Sequence, residues 1–335
     1  MPLARRGGRR VGRRGARCLV GALVSLAAGG CLSIHVFDGA TQPLVESVVH
    51  GRSGPRILLI EIEGTISEAA ESDGLLGLVQ ESPVTRLREQ LDKAREDEGI
   101  RGLLLRINSP GGSVTASDIL YREILHWKQQ RGVPVVAQLM GVAASGGYYV
   151  AMAADRVVAY PTTVTGSIGV IFVGLNFSGL MQKIGIEDQT LTTGAYKDAG
   201  SPLRPMTPAE REQLQAVLDD MHQHFVEVVI AGRRELAPEQ VAALADGRIF
   251  SAEQALQAGL VDALGDLEAG IAELERLAGL SSSRVVRYHR PREWVKNVYA
   301  RAPAVPAEVT VRIEPPLGLL RRPGFLYLWA PGALP

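Results

Sequence analysis

The chain has 335 residues with 36 basic and 36 acidic side chains, so its formal net charge is zero, and 46% of it is hydrophobic. That length can bury one large core or two modest ones, and the balanced charge leaves no general basic excess for nucleic acid. The only cysteines, Cys18 and Cys31, fall near the start, which excludes disulfides and Cys-based metal sites from everything after them.

The first segment is polarised. Seven arginines, from Arg5 to Arg17, precede a stretch from Cys18 to Phe37 that holds no Asp, Glu, Lys or Arg. A basic block followed by an apolar run is the layout of an export signal or membrane anchor. A nucleic-acid arm would not run into such a segment. Two anchors fit. A transmembrane helix over 18–37 just reaches the length a bilayer needs, but Gly29 and Gly30 interrupt it. Alternatively Ala28-Gly29-Gly30-Cys31 is a lipoprotein cleavage box that leaves Cys31 as the lipidated first residue, with Ala28 where Leu is usual. The lipoprotein reading is preferred. Either places the remainder outside the cytoplasm on a membrane, with the arginines retained inside.

Residues 32–56 read as a linker. A short apolar strand follows at 57–62, a helix at 83–98, a strand at 102–107, a helix at 114–130 and a strand at 135–139. Next come a helix at 145–154, a strand at 156–159 and a helix at 177–184. Alternating strands and helices predict an α/β fold with parallel strands, and the continuous apolar character of the strands predicts a sheet covered on both faces. From Thr207 the chain turns helical. Thr207-Pro208-Ala209-Glu210 supplies an N-cap, a proline at N1 and an acid at N3. That helix is predicted to reach Gly232, with shorter ones at 238–245, 252–258 and 266–277. Residues 57–280 form the predicted folded unit. Residues 281–335 read as a Pro/Arg-rich tail whose last stretch, Phe325-Leu326-Tyr327-Leu328-Trp329, is apolar and aromatic.

Two loops carry chemistry. Asn108-Ser109-Pro110-Gly111-Gly112-Ser113 joins a strand to a helix. It can aim a backbone N–H, that of Gly112, into a cleft, or it can simply be a tight turn with Ser113 as N-cap. Its spacing is not that of a nucleotide-binding P-loop. Ser145, between Ala144 and Gly146, opens a helix after a strand, so the helix dipole would favour an oxyanion beside it and the Gly146 N–H is a second donor. Ser145 could equally be a plain N-cap. The motif is not the Gly-x-Ser-x-Gly elbow, since Ala143 stands two residues before the serine.

A nucleophilic serine needs a base. None of the six histidines is a credible partner: His35 and His50 precede the core, His126, His222 and His224 lie on charged helices, and His289 is in the tail. No zinc-binding His-Glu-x-x-His motif occurs. The chain has only five lysines, and Lys197 lies in Tyr196-Lys197-Asp198-Ala199-Gly200-Ser201-Pro202. Arginine keeps its proton, whereas a desolvated lysine can release it. Bringing a lysine from roughly 10.4 to the pH 7–8 range costs about 4 kcal/mol against the charged form, which burial can supply. Lys197 is therefore expected to be buried against Ser145, with Ser167 of Thr165-Gly166-Ser167-Ile168-Gly169 orienting its amine. The plainer alternative is a solvated lysine paired with Asp198.

Taken in order, Ile107-Asn108-Ser109-Pro110-Gly111-Gly112, Ala144-Ser145-Gly146-Gly147-Tyr148-Tyr149, Thr165-Gly166-Ser167-Ile168-Gly169-Val170 and the Lys197 motif resemble the signal peptide peptidase A (protease IV) family over roughly residues 55–280. The resemblance implies a ClpP/crotonase-like fold of repeated ββα units with a helical C-terminal part. It implies Ser145 as nucleophile, Lys197 as base, no metal or other cofactor, a ring-like homo-oligomer and apolar membrane-associated peptides as substrates. An acyl-CoA enzyme or a non-catalytic tethered scaffold of the same fold are the competing readings.

Overall fold

The computed structural model describes residues 42–69, 71–73, 78–293, 297 and 325–328. The leader with Cys31 lies outside them. Among the described residues no helix is long and apolar enough to cross a membrane.

The chain opens with β1 (Val45–His50) and β2 (Arg56–Glu63), then the hairpin strands β3 (Glu71–Asp73) and β4 (Leu78–Gln80). Helix α1 (Pro83–Arg95) starts where Ser82 Oγ accepts the Thr85 N–H at 3.1 Å and Pro83 takes N1. Strand β5 (Ile100–Ser109) leads into the short β6 (Gly111–Ser113) and helix α2 (Val114–Arg131). Strand β7 (Val135–Ala144) runs into α3 (Gly146–Ala151), followed by β8 (Arg156–Ala159), β9 (Val164–Gly166), β10 (Ile171–Phe172) and helix α4 (Ser178–Ile184). The helical part comprises α5 (Pro208–Gly232), α6 (Pro238–Leu244), α7 (Ala252–Gln257) and α8 (Leu267–Ala278), with β11 (Ile249–Ser251) and β12 (Ala263–Leu264) between them. Strand β13 (Arg284–His289) and, from the far end of the chain, β14 (Phe325–Leu328) complete the set.

One sheet of nine strands has the order β1-β13-β2-β5-β7-β8-β12, with β9 paired to β7 and β11 to β9. The pairings from β13 through β12 are parallel, while β1 joins β13 and β11 joins β9 antiparallel. Side chains alternate between two buried layers. Leu58, Ile60, Ile62, Leu103, Leu105 and Ile107 face the layer containing Leu87, Leu91 and Trp127, and Ile57, Leu59 and Leu104 face Leu267, Ile271 and Leu274 of α8. This double coverage explains why β2, β5 and β7 read as unbroken apolar runs.

The sheet extends past both predicted ends of the folded unit. Residues 45–50, read as linker, and 284–289, read as tail, are strands, with β13 placing Val285 beside Ile57 of β2. Charge masked the signal in β13. Arg287 is buried and pairs with Glu61 at 2.8 Å, and Arg106 reaches Glu61 and Glu63 at 2.6 Å each. Burial pushes the Glu61 carboxyl above the ordinary range, opposed by Arg287 and Arg106. The second difference is that β7 continues through Ala144, past the predicted end at 139, and α3 is shorter than the predicted helix over 145–154.

Candidate active site

Strand β7 delivers Ser145 to the end of the sheet, and α3 starts immediately after it. Its backbone sits at φ 52, ψ −119, a conformation that favours glycine. Such a residue costs about 1–3 kcal/mol and persists only where the surroundings impose it. Here the Ser145 N–H donates to the Gly166 carbonyl at 2.8 Å, and the Ser145 carbonyl accepts the Tyr149 N–H at 2.9 Å. The side chain does not cap α3. Ser145 is 1% exposed, and its Oγ has no hydrogen-bond partner among the described residues. A buried hydroxyl without a partner is costly unless it has another use. Ser145 thus occupies the N-cap position without capping α3, on a strained strand-to-helix turn that lacks the Gly-x-Ser-x-Gly sequence.

The turn is locked by its motif neighbours. Tyr148 and Tyr149 are fully buried. The Tyr148 hydroxyl donates to the Leu260 carbonyl at 2.6 Å and the Tyr149 hydroxyl to Asp118 at 2.8 Å. Gly147 has no room for a side chain, because a Cβ there would lie 2.7 Å from the Ser109 carbonyl oxygen. Gly146 is the first residue of α3, and the first amide of a helix has no intrahelical acceptor.

Ser167 shares the unusual backbone, at φ 51, and these two serines are the non-glycine residues with positive φ among the described residues. It is 8% exposed and its N–H donates to the Arg248 carbonyl at 2.8 Å. The Gly166–Ser145 hydrogen bond holds the two strained turns side by side.

The Ser-Pro-Gly-Gly loop is fixed from within. Ser109 Oγ donates to the Gly64 carbonyl at 2.6 Å and accepts the Gly111 N–H at 3.1 Å, and Asn108 accepts the Val142 N–H at 3.1 Å. Ser113 does cap α2, accepting the Ala116 N–H at 3.1 Å. Gly112 lies in β6 against Ile66, where a Cβ would come within 1.9 Å of the Ile66 carbonyl oxygen. Gly112→Ala is therefore expected to displace β6 and lower both activity and thermal stability; a variant that keeps both would show that this close approach is dispensable.

Lys197 departs from expectation. It is exposed, in a segment without regular structure between α4 and α5. Asp198, its proposed ion-pair partner in the plainer alternative, belongs instead to Arg204, whose Nε and Nη2 donate to it at 2.7 and 2.8 Å. Arg204 also binds Glu210, which closes the capping box of α5 by accepting the Thr207 N–H at 2.8 Å. Arg204 thus ties the residue after Lys197 to the first turn of α5. The sequence offered no sign of this, since the link joins a loop arginine to two acids each six positions away.

The guanidinium of Arg204 holds the Glu210 carboxyl down at about 2 and also lowers that of Asp198. For a depressed carboxyl, the stability it contributes is present above its unfolded value of roughly 4.3 and is lost as pH falls towards the folded value. The tie is accordingly intact at neutral pH and loosens only in strong acid. Arg204→Gln is expected to lower kcat/KM roughly tenfold by freeing the Lys197 segment; unchanged kinetics would show that this anchor does not serve the reaction.

The chain matches the family model described as Peptidase family S49 over residues 127–281 and the Clp protease model over residues 75–165. It is 34% identical to "Putative signal peptide peptidase SppA" of Enterococcus faecium, covering 83% of this chain and 81% of that protein. It is 31% identical to "Protease 4" of Salmonella typhi over 76% of this chain, which spans 38% of that longer protein. It is 35% identical to "Serine protease SPPA, chloroplastic" of Arabidopsis thaliana over 60% of this chain and 29% of that protein.

Proposed function

The chain belongs to peptidase family S49, and on that premise we propose that it is a membrane-tethered endopeptidase in which Ser145 and Lys197 form the catalytic pair. Its fold is Clp protease-like and its class is serine-type peptidase. The observation that carries the finer reading is the Ser145 Oγ, buried on a strained turn and without a hydrogen-bond partner among the described residues.

In the proposed reaction Ser145 Oγ attacks a peptide carbonyl carbon while Lys197 Nζ takes the hydroxyl proton. The amides of Gly146 and Gly112 hold the oxyanion. The C–N bond breaks as Lys197 returns the proton to the departing amine. Water, deprotonated by Lys197, then hydrolyses the acyl-enzyme and restores Ser145. Apolar peptides left in or near a membrane, signal-peptide remnants among them, are the proposed substrates, with a lipid on Cys31 or an N-terminal helix as the tether.

An exposed lysine is a poor general base. We therefore assign the missing desolvation to assembly. The region around Lys197 presents a face that suits burial: helix α4 has no buried residue, Ile184 is 60% exposed, Leu191 97% and Tyr196 54%. A second copy of the chain laid over this face would remove water from Lys197. Activity per chain is then expected to fall on dilution as the assembly dissociates; activity strictly proportional to concentration through dissociation would contradict this.

The central test is a purified preparation assayed on an apolar peptide and treated with an active-serine phosphonate. Turnover and a single adduct on Ser145, both absent in Ser145→Ala, are expected. Turnover surviving Ser145→Ala, or an adduct on another serine, would exclude the reading. A mass measurement of the membrane-bound N-terminus tests lipidation at Cys31.

A further inference from the structure

Helix α3, which Ser145 opens, is six residues long. A helix that short has little stability of its own and is held by what it packs against. Its seat fixes that of Ser145, because the Tyr149 N–H donates to the Ser145 carbonyl at 2.9 Å. Tyr149 is also where α3 meets its neighbours. Its buried ring lies edge-on to Tyr121 of α2, with centroids 5.4 Å apart, and tilted against Phe225 of α5 at 5.0 Å. Such packing is worth something but has little directional precision. Direction comes from the hydroxyl, which donates to Asp118 Oδ1 of α2 at 2.8 Å.

Asp118 gathers more than Tyr149. Its Oδ1 also faces Nε2 of His224, on α5, at 3.4 Å, and its Oδ2 accepts the Arg122 Nε at 2.6 Å. Three elements that bear the site thus converge on one carboxylate. Helix α2 follows β6, which carries Gly112, and is capped by Ser113. Helix α3 begins at Ser145. Helix α5 follows the Lys197 segment and is tied to it by Arg204, through Asp198 and Glu210. Residues 112, 145 and 197 are far apart in the chain, so contacts between these helices must set their mutual geometry. A misplacement of about 1 Å is enough to cost a reaction roughly 10²-fold.

We propose that Asp118 is a positioning residue for the peptidase reaction. Through the Tyr149 hydroxyl it sets the seat of α3, and with it the aim of Ser145, relative to Gly112 ahead of α2 and the Lys197 segment ahead of α5. Hydrogen bonds to an ionised acceptor are shorter and stronger than neutral ones, which suits a bond that must hold one geometry. Arg122 has a different place. It is 63% exposed and pairs with Asp118 across one turn of the same helix, so it joins no second element. Exposed pairs of that kind contribute little.

This proposal rests on the peptidase reading, and the test separates the two. The full chain is compared with Tyr149→Phe, Asp118→Ala, the double variant and Arg122→Ala on a short apolar peptide. Turnover is expressed per serine titrated to completion by the active-serine phosphonate, so that misfolded chains do not count. Tyr149→Phe and Asp118→Ala are each expected to lower kcat roughly tenfold, with KM moving less than about twofold. The double variant should fall no further than the worse single one, because both changes remove the same link. Arg122→Ala should keep its kcat. Tyr149→Phe removes one oxygen and decides the matter if Asp118→Ala does not fold. A merely structural role would lower the thermal midpoint and the titratable fraction but leave kcat per titrated serine unchanged. That result, or losses that multiply in the double variant, overturns the proposal. A wild-type chain without turnover and without a titratable serine would instead bring down the peptidase reading, and the positioning role with it.

Discussion

Replacing Lys197 with Arg is expected to lower kcat by roughly 10³-fold or more while leaving the fold intact. Both side chains are long cations, so the substitution keeps charge and length and removes only the ability to accept a proton near neutral pH. Stability should move by less than about 0.5 kcal/mol, because Lys197 is exposed and its neighbour Asp198 is bound by Arg204 rather than by Lys197. Lys197→Met should match Lys197→Arg in activity. Steady-state kinetics on an apolar peptide, with a thermal melt of each variant, checks this. Near-normal turnover by Lys197→Arg would end the general-base assignment, and a large loss of stability would mean that the lysine has a structural role in the assembled protein.

The second large effect is a split between activity and stability at Ser145. At φ 52 a side chain is strained, and glycine relieves that strain. Ser145→Gly and Ser145→Ala should both lose activity by roughly 10⁵-fold or more, since each removes the nucleophile. Their stabilities should differ. Alanine keeps the Cβ in the strained backbone. Glycine removes 1–3 kcal/mol of strain but adds about 1 kcal/mol of unfolded-chain freedom, so it should be the more stable by about 1 kcal/mol. Denaturant unfolding of the two variants checks this, and a Gly variant less stable than the Ala variant would show that the turn is not strained. The unpartnered Oγ predicts in addition that Ser145→Ala itself costs little, because no hydrogen bond is broken.

Much of the framework was legible because it is written locally. The helix start at Thr207 came from Thr, Pro and Glu at the right offsets, and the structure has Thr207 and Glu210 in a capping box. The strand at 156–159 was found at its full length, an apolar run between Asp155-Arg156 and the Tyr160-Pro161 turn. Elements that depend on a distant partner were not legible. Strand β13 carries Arg284, Arg287 and His289 and looks solvent-facing until Glu61 is placed against Arg287. Strand β1 is half exposed and gains its place only by pairing with β13. At the site, the loops bearing Gly112, Ser145 and Ser167 could be named because glycine and serine punctuate strand ends. The role of Arg204 could not, since it depends on Asp198 and Glu210 converging on one guanidinium.

The sequence by itself determined the alternating α/β plan, the serine at a strand-to-helix junction and the lack of any obvious histidine base. Those follow from residue type and short-range spacing, which act before the chain is compact. Tertiary structure decided the rest: the strained backbone of Ser145, the exposure of Lys197 and the seating of residues 325–328 opposite Gly112. Each is the result of segments far apart in the chain competing for one edge, one cavity or one ion-pair partner. Local periodicity carries no record of that competition, because its outcome depends on which surfaces meet when the sheet is assembled.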